Sequence, residues 1–207
     1  MIGILKVGYG NTQSIKALID RLGYDFIEIT DELSDFNKIT HLIIPGVGSY
    51  AQASELFHNS NLAKEISEFI NQKKPVLGIC LGMQILTSIG HEYGKTKGLN
   101  IVGGETILLE GEESSILPHM GWNTVNFTNS HHVFQGIKNG VDFYFAHSYA
   151  IEGVEEAYIY GQTFYNKNFP SIIIKDNVIG VQFHPEKSLK NGIKLMDNFC
   201  QWDGSTC

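Results

Sequence analysis

The first half of the chain alternates short apolar runs with segments whose apolar residues recur at helical spacing. Helices are predicted over about 12–22 and 62–72, where apolar residues three and four positions apart share one face. The apolar runs predict strands over 1–7, 24–29, 41–48 and 76–79, the third ending in a glycine-rich loop. Strands that alternate with helices through residue 90 indicate a parallel sheet with helices on both faces.

Strands predominate in the second half of the chain. They are predicted over 101–110, 142–151, 157–165 and 171–183, with a hairpin turn at Asp176-Asn177. A last helix is predicted over about 189–202. The expected fold class is therefore α/β, with a mostly parallel central sheet, flanking helices and additional antiparallel strands in the C-terminal half. Because no linker or repeat interrupts the pattern, we expect one domain over 1–202 and a loose tail over 203–207.

Composition and charge exclude several function classes. The 207 residues carry a net charge of −7, which disfavours binding to nucleic acid or to an anionic membrane. No apolar run approaches the roughly 20 residues that a membrane helix needs, and the N-terminus does not resemble a signal peptide. Three cysteines at uneven spacing do not form a disulfide framework, so a reducing, cytoplasmic location is expected.

One of these cysteines lies where a predicted strand turns directly into a helical pattern, in "KKPVLGICLGMQ". Gly78 and Gly82 flank Cys80 two positions away on each side, as in the nucleophile elbow of hydrolases. Apolar spacing predicts that the helix continues through Ile89. A helix N-terminus favours a thiolate, and the backbone N–H of Leu81 lies close enough to stabilise an oxyanion. The alternative is an inert core cysteine, which the flanking glycines disfavour.

A nucleophilic cysteine requires a base and a group that orients that base. Among eight histidines, His184 stands out because it ends an apolar strand in "IGVQFHPEKS", with Glu186 two residues later. His131 and His132 lie in a polar loop and are expected to be solvated, whereas His119 and His147 lie in more ordered contexts. Metal binding at His184 is the lesser option, because no second ligand stands at a suitable spacing. The "GYGN" turn lacks the third glycine of a dinucleotide-binding fingerprint, so a nucleotide cofactor is disfavoured.

The motifs "PGVG", "GICLGMQ" and "GVQFHPEKS", in this order, resemble those of the class I (triad) glutamine amidotransferases. More narrowly, "PHMGWN", "FYFAHSY" and "FHPEKS" resemble the glutaminase subunit of imidazole glycerol phosphate synthase. The resemblance runs from residue 2 to about residue 199 and implies the class I glutamine amidotransferase fold.

The resemblance implies a role for each matching residue. Cys80 would attack the side-chain amide of L-glutamine, His184 would transfer the proton, and Glu186 would orient His184. The N–H groups of Val47 and Leu81 would form the oxyanion hole, with the peptide before Val47 reorienting first. No cofactor is implied. The remaining matching positions would bind glutamine: Gly48, Gln84, Glu92, Ser148 and Tyr149. For Gln84 and Glu92 the alternative is a solvated helix face.

The same resemblance implies a heterodimer with a (β/α)₈-barrel cyclase or synthase subunit that receives the ammonia. Five residues would contact that partner: Asn11, Met120, Trp122, Tyr144 and Lys187. The alternative for Trp122 is a core tryptophan. Lys6 and Val7 depart from the family's usual Asp-Tyr-Gly near this face, and Asn100 replaces a common glycine. Two other functions therefore stay open: a paralogue that supplies ammonia for amidation of a surface-polysaccharide sugar, and a catalytically silent scaffold subunit.

Overall fold

The computed structural model describes residues 1–6, 12–30, 35–46, 48–109 and 116–205. Its main feature is a nine-stranded sheet in the order β2-β1-β3-β4-β13-β12-β11-β8-β9. The first five strands in this order are parallel to one another: β2 (Phe26–Ile29), β1 (Ile2–Leu5), β3 (His41–Ile44), β4 (Val76–Ile79) and β13 (Val178–Val181). Every residue of β1, β4 and β13 is buried, as expected of strands covered on both faces, whereas β2 at the edge of the sheet has only Ile29 fully buried.

The other four strands of this sheet are antiparallel: β12 (Lys167–Lys175), β11 (Ile159–Tyr165), β8 (His119–Phe127) and β9 (Val141–His147). A second sheet has the order β10-β7-β5-β6, formed by β10 (Tyr149–Glu152), β7 (Glu105–Leu108), β5 (Ile89–Gly90) and β6 (Thr96–Lys97). The α/β class with antiparallel strands in the C-terminal half is thus confirmed. The expected hairpin turn also occurs, with Asp176 at φ 51° between β12 and β13.

Two strand predictions need correction. The segment predicted as one strand over 142–151 breaks at Ser148, so that β9 belongs to the large sheet and β10 to the small one. Within its described residues 101–109, the segment predicted over 101–110 contributes β7 alone, because Gly103 and Gly104 both have a positive φ that is incompatible with a strand. Strand β8, which begins inside "PHMGWN", was not predicted.

The helices are α1 (Gln13–Arg21), α2 (Tyr50–Asn59), α3 (Leu62–Asn71), α4 (Leu81–Gln84) and α5 (Leu189–Gln201). Helices α1, α3 and α5 match the predictions within a residue or two. Helix α2 was missed because its polar composition hides a buried face that includes Ala53 and Phe57. The predicted long helix after Cys80 is wrong: α4 has one turn, and Ile89 pairs with Lys97 in the small sheet.

Buried apolar side chains form a separate cluster on each side of the parallel strands. Ile4 and Leu77 belong to one cluster, and Leu5 and Val76 belong to the other, because successive side chains of a strand point to opposite faces. No helix among the described residues has the length and apolar character needed to span a membrane.

Candidate functional site

Cys80 occupies the corner at which β4 turns into α4. Its backbone has φ 53° and ψ −110°, a conformation that non-glycine residues rarely adopt. The corner is tight, since a Cβ added at Gly78 would lie 2.5 Å from the carbonyl oxygen of Gly82. A Cβ added at Gly82 would overlap the carbonyl oxygen of Ile44 in β3. The flanking glycines therefore allow the strained corner that presents Cys80, as the sequence pattern indicated.

His184 and Glu186 reach this corner from the neighbouring strand. Strand β13 runs parallel to β4, so that the residues after both strands meet at one edge of the sheet. His184 Nδ1 lies 2.9 Å from Glu186 Oε1, and both side chains are buried. Burial alone would lower the pKa of His184, but hydrogen bonds to Cys80 and Glu186 raise it to about 10. The arrangement favours an imidazolium ion between a sulfur atom and a carboxylate.

A buried glutamine that the sequence analysis missed also contacts the sulfur. Gln182 Nε2 lies 3.6 Å from Cys80 Sγ, and Gln182 Oε1 accepts a hydrogen bond of 3.1 Å from Gln84. Gln182 is fully buried in the segment after β13. The sequence signals this contact only by the position of Gln182 two residues before His184. A single glutamine in an apolar run does not by itself indicate that its side chain reaches a functional site.

The Cys80 sulfur opens into a pocket of about 480 Å³. Gln84 is buried here and donates a 2.7 Å hydrogen bond to the carbonyl of Tyr149. Glu92 lies in the turn after β5, where its Oε2 accepts a 2.6 Å hydrogen bond from the backbone N–H of Tyr50 at the start of α2. The solvated helix face considered for both residues is therefore wrong. Every predicted glutamine-binding residue lines this pocket: Gly48, Gln84, Glu92, Ser148 and Tyr149.

Of the two predicted oxyanion donors, Leu81 lies among the described residues. Leu81 is the first residue of α4 and lines the pocket beside Cys80. Val47 lies outside the described residues, although its neighbours Gly46 and Gly48 both line the pocket.

Four of the five residues predicted for the partner face lie among the described residues, and they form a largely exposed group next to the pocket. Met120 and Trp122 are 64% and 49% exposed, so the alternative of a core tryptophan is wrong. The rings of Trp122 and Tyr144 lie 6.0 Å apart, edge to face, and Lys187 Nζ lies 5.6 Å from the centre of the Tyr144 ring. Asn11 lies outside the described residues.

Cys200 and His131 are buried, as Cys80 and His184 are, but burial shifts their pKa values toward the neutral form. Burial raises the pKa of Cys200 to about 12, which leaves its thiol protonated at neutral pH. His131 was expected to be solvated, but it is buried with its ring 5.0 Å from that of Trp202. Burial lowers the pKa of His131 to about 4, so the ring is neutral.

Known proteins resemble this chain over almost its full length. The family model described as "Glutamine amidotransferase class-I" matches residues 7–201. The "Imidazole glycerol phosphate synthase subunit HisH" of Caldanaerobacter subterraneus subsp. tengcongensis is 41% identical over 199 residues, covering 96% of this chain and 97% of the relative. The subunit of the same name from Methanocaldococcus jannaschii is 42% identical over 201 residues, covering 97% and 99%.

Solved structures share the fold at low sequence identity. The structure described as "PurLQS from Thermotoga maritima" superposes with a TM-score of 0.75 at 16% identity, covering 97% of each chain. The chain therefore belongs to the class I glutamine amidotransferases and, within that class, to the HisH subunits of imidazole glycerol phosphate synthase.

Proposed function

We propose that this chain hydrolyses L-glutamine at Cys80 and delivers ammonia to a (β/α)₈-barrel synthase subunit that makes imidazole glycerol phosphate in histidine biosynthesis. The observation that carries the chemistry is the buried Cys80, His184 and Glu186 arrangement, in which hydrogen bonds to both neighbours raise the pKa of His184. Relatives named as HisH subunits favour this acceptor over a polysaccharide sugar.

The first half of the reaction forms a thioester. His184 holds the thiol proton as an imidazolium, and the Cys80 thiolate attacks the side-chain carbonyl carbon of glutamine. The oxygen of the tetrahedral intermediate accepts a hydrogen bond from the N–H of Leu81 and from that of Val47 once its peptide is correctly oriented. The imidazolium of His184 then returns its proton to the amide nitrogen, the C–N bond breaks, and ammonia leaves.

The second half regenerates the enzyme. Water, deprotonated by His184, attacks the thioester, and the Cys80 thiolate leaves and recovers a proton. The products are glutamate and free enzyme. Glu186 stabilises the imidazolium in both halves through the 2.9 Å contact with Nδ1.

The pocket supplies groups suited to the two ends of the substrate. Glu92 is an acid at the pocket wall and suits the α-amino group of glutamine. The segment of Ser148 and Tyr149 suits the remainder of the amino-acid head group, with Gln84 holding this segment against α4. These roles place the side-chain amide at the sulfur.

The partner would dock on the exposed group of Met120, Trp122, Tyr144 and Lys187. Exposed Met and aromatic side chains are enriched at the centres of protein interfaces, as at Met120 and Trp122. Lys187 directly follows Glu186 and lines the pocket, so partner contacts there adjoin the catalytic residues.

The test combines glutamine and ammonium as alternative nitrogen sources. In complex with the (β/α)₈-barrel synthase subunit, Cys80→Ala is expected to abolish glutamine-dependent product formation and to leave ammonium-dependent formation unchanged. Product formed from glutamine by this variant would overturn the assignment of Cys80. Stimulation of the wild-type glutaminase by a sugar-amidating partner, but not by the histidine-pathway barrel, would overturn the proposed acceptor.

A further inference from the structure

Two buried histidines face each other across strands β8 and β9, outside the proposed catalytic triad. His119 and His147 are directly paired in the register of the two strands and are 3% and 5% exposed. His119 Nδ1 lies 3.0 Å from His147 Nε2. The His119 ring is stacked between those of Phe145 and Tyr165, at centroid distances of 4.7 and 4.0 Å, which fixes its plane. Nothing in the proposed reaction uses either imidazole.

The hydrogen bonds around this pair run in one direction. His147 Nδ1 lies 2.8 Å from the carbonyl oxygen of Tyr149, which can only accept, so Nδ1 carries the proton. In neutral His147 the Nε2 atom is then an acceptor, and His119 must donate to it from Nδ1. His119 Nε2 is consequently an acceptor as well, and the side-chain amide of Asn123 donates to it at 3.1 Å.

Asn123, at the β8 end of this series of hydrogen bonds, is also held in one orientation. The Asn123 Nδ2 group donates a second hydrogen bond, of 3.0 Å, to the carbonyl oxygen of Phe164. Asn123 Oδ1 accepts from the backbone N–H of Thr124 at 2.7 Å, so the amide cannot be turned around without losing both contacts. The tautomers of the two histidines therefore follow from two backbone carbonyls and one backbone N–H.

The environment keeps both rings neutral. Burial lowers the pKa of His119 to about 4. Burial, together with the nearby His119 and His184, lowers the pKa of His147 to about 3, against a smaller effect of its bond to Tyr149. A second proton on His147, at Nε2, would face the Nδ1–H of His119 across 3.0 Å, and a second proton on His119, at Nε2, would face the amide N–H of Asn123 across 3.1 Å. A charge on His147 would also oppose the imidazolium of His184.

The other end of this series of hydrogen bonds, at the Tyr149 carbonyl, reaches the glutamine pocket. The Tyr149 carbonyl that His147 contacts also accepts the hydrogen bond from Gln84, one helical turn after Cys80. Between His147 and Tyr149, the carbonyl of Ser148 accepts from the N–H of Leu109 at 2.8 Å. His147, Ser148 and Tyr149 all line the pocket.

His119 and Asn123, at the opposite end of the series, lie on strand β8, which also exposes Met120 and Trp122. We propose that His119 and His147 are positioning residues: a relay of two neutral imidazoles that sets the Ser148–Tyr149 wall of the glutamine pocket from strand β8. This inference rests on the proposed glutaminase function, and it makes glutamine affinity depend on a strand whose outer face carries the partner-contact group.

The relay can be tested in the intact chain without substrate. Long-range ¹H–¹⁵N NMR spectra of the ¹⁵N-labelled protein at neutral pH are expected to show both histidines neutral, each protonated at Nδ1 and bare at Nε2. Finding His147 protonated at Nε2, or either ring charged, would overturn the relay. This measurement does not require activity, so it tests the relay independently of the proposed function. A failure of the proposed function would show itself differently, as absence of glutaminase activity with every partner.

Kinetics of variants then test the positioning role. His119→Phe keeps an aromatic ring in the stack but removes the hydrogen-bond donor to His147. We expect KM for glutamine to rise about tenfold, the scale of one neutral hydrogen bond, and kcat to change less than about twofold. His119→Asn places an amide N–H where Nδ1 stands and is expected to restore KM to within about threefold of wild type. The conservative variant separates the lost donor from a loss of packing.

His131→Phe is the matched control, because His131 is also buried and neutral among aromatic rings, but its ring packs against Phe134, Tyr160 and Trp202 and not within the relay. Its KM for glutamine is expected to remain that of wild type. An unchanged KM in folded His119→Phe, or equal effects of His119→Phe and His131→Phe, would overturn the positioning role. If His119→Phe does not fold, the tautomer spectrum of the wild-type chain still decides whether the relay exists.

Discussion

Three buried, neutral histidines are expected to make the folded protein lose stability between about pH 6 and about pH 5. Burial lowers the pKa of His119 and His131 to about 4 and that of His147 to about 3. In the unfolded chain the same side chains have a pKa of about 6.5. The unfolded state therefore binds protons in this range that the folded state does not, and the free energy of unfolding falls as the pH falls.

The magnitude follows from the number of protons taken up on unfolding. Between about pH 5 and about pH 6 each of the three histidines is mostly protonated in the unfolded chain and mostly neutral in the fold, which gives about 2.5 protons in total. At about 1.4 kcal/mol per proton and pH unit, the free energy of unfolding should decrease by roughly 3–4 kcal/mol over this interval. His41, whose pKa burial also lowers, acts in the same direction.

His184 and Glu28 contribute little in this interval. His184 has a raised pKa and is protonated in both states here, so its stabilising effect is lost only at higher pH, as the pH rises toward about 10. Lys16 lowers the pKa of the Glu28 carboxyl, and the stability gained from this ion pair is lost below the interval, as the carboxylate is protonated.

Urea denaturation of the chain at several pH values across the interval measures the slope. His131→Phe is expected to reduce that slope by about one third, since it removes one of the three groups. A slope below about 1 kcal/mol per pH unit would refute the argument, because it would mean that fewer than about one proton is taken up on unfolding. An unchanged slope in His131→Phe would refute the assignment of a third of the effect to that residue.

Three further predictions concern the elbow and the triad. His184→Asn is expected to lower kcat/KM for glutamine by roughly 10⁴-fold and Glu186→Gln by less, because His184 moves the proton whereas Glu186 only orients His184. Equal, mild effects of the two variants in steady-state assays would contradict this. Gly82→Ala should lower the free energy of unfolding by about 3 kcal/mol, because the new Cβ overlaps a backbone carbonyl of β3, and denaturation showing a loss below about 1 kcal/mol would contradict it. An electrophilic glutamine analogue should alkylate Cys80 before Cys200, whose pKa is raised to about 12, and peptide mapping that finds Cys200 modified first would count against the elbow.

The parallel half of the fold could be predicted from the sequence because its signals are local. Four-residue apolar runs such as Val76–Ile79 and amphipathic helices such as Leu62–Asn71 reveal their burial within one short window. The Gly-x-Cys-x-Gly pattern likewise indicated a strained corner, which the positive φ of Cys80 bears out.

Local signals failed where tertiary contacts determine the structure. Periodicity extended the helix after Cys80 to Ile89, but the chain leaves the helix after one turn, and Ile89 joins the small sheet. Helix α2 has a polar composition, and its burial depends on neighbours distant in sequence, such as Glu92, which accepts from its first N–H. Propensity yields to such contacts.

The same division applies to the site. The sequence by itself identified Cys80 and the His184–Glu186 pair as candidate catalytic residues, because each lies in a short motif whose key residues are two positions apart. Only the tertiary structure decided that Gln182 reaches the sulfur and that Trp122 is exposed. It also decided that His119 meets His147 across 28 residues of chain, because cross-strand register, and not sequence spacing, selects which buried polar groups become partners.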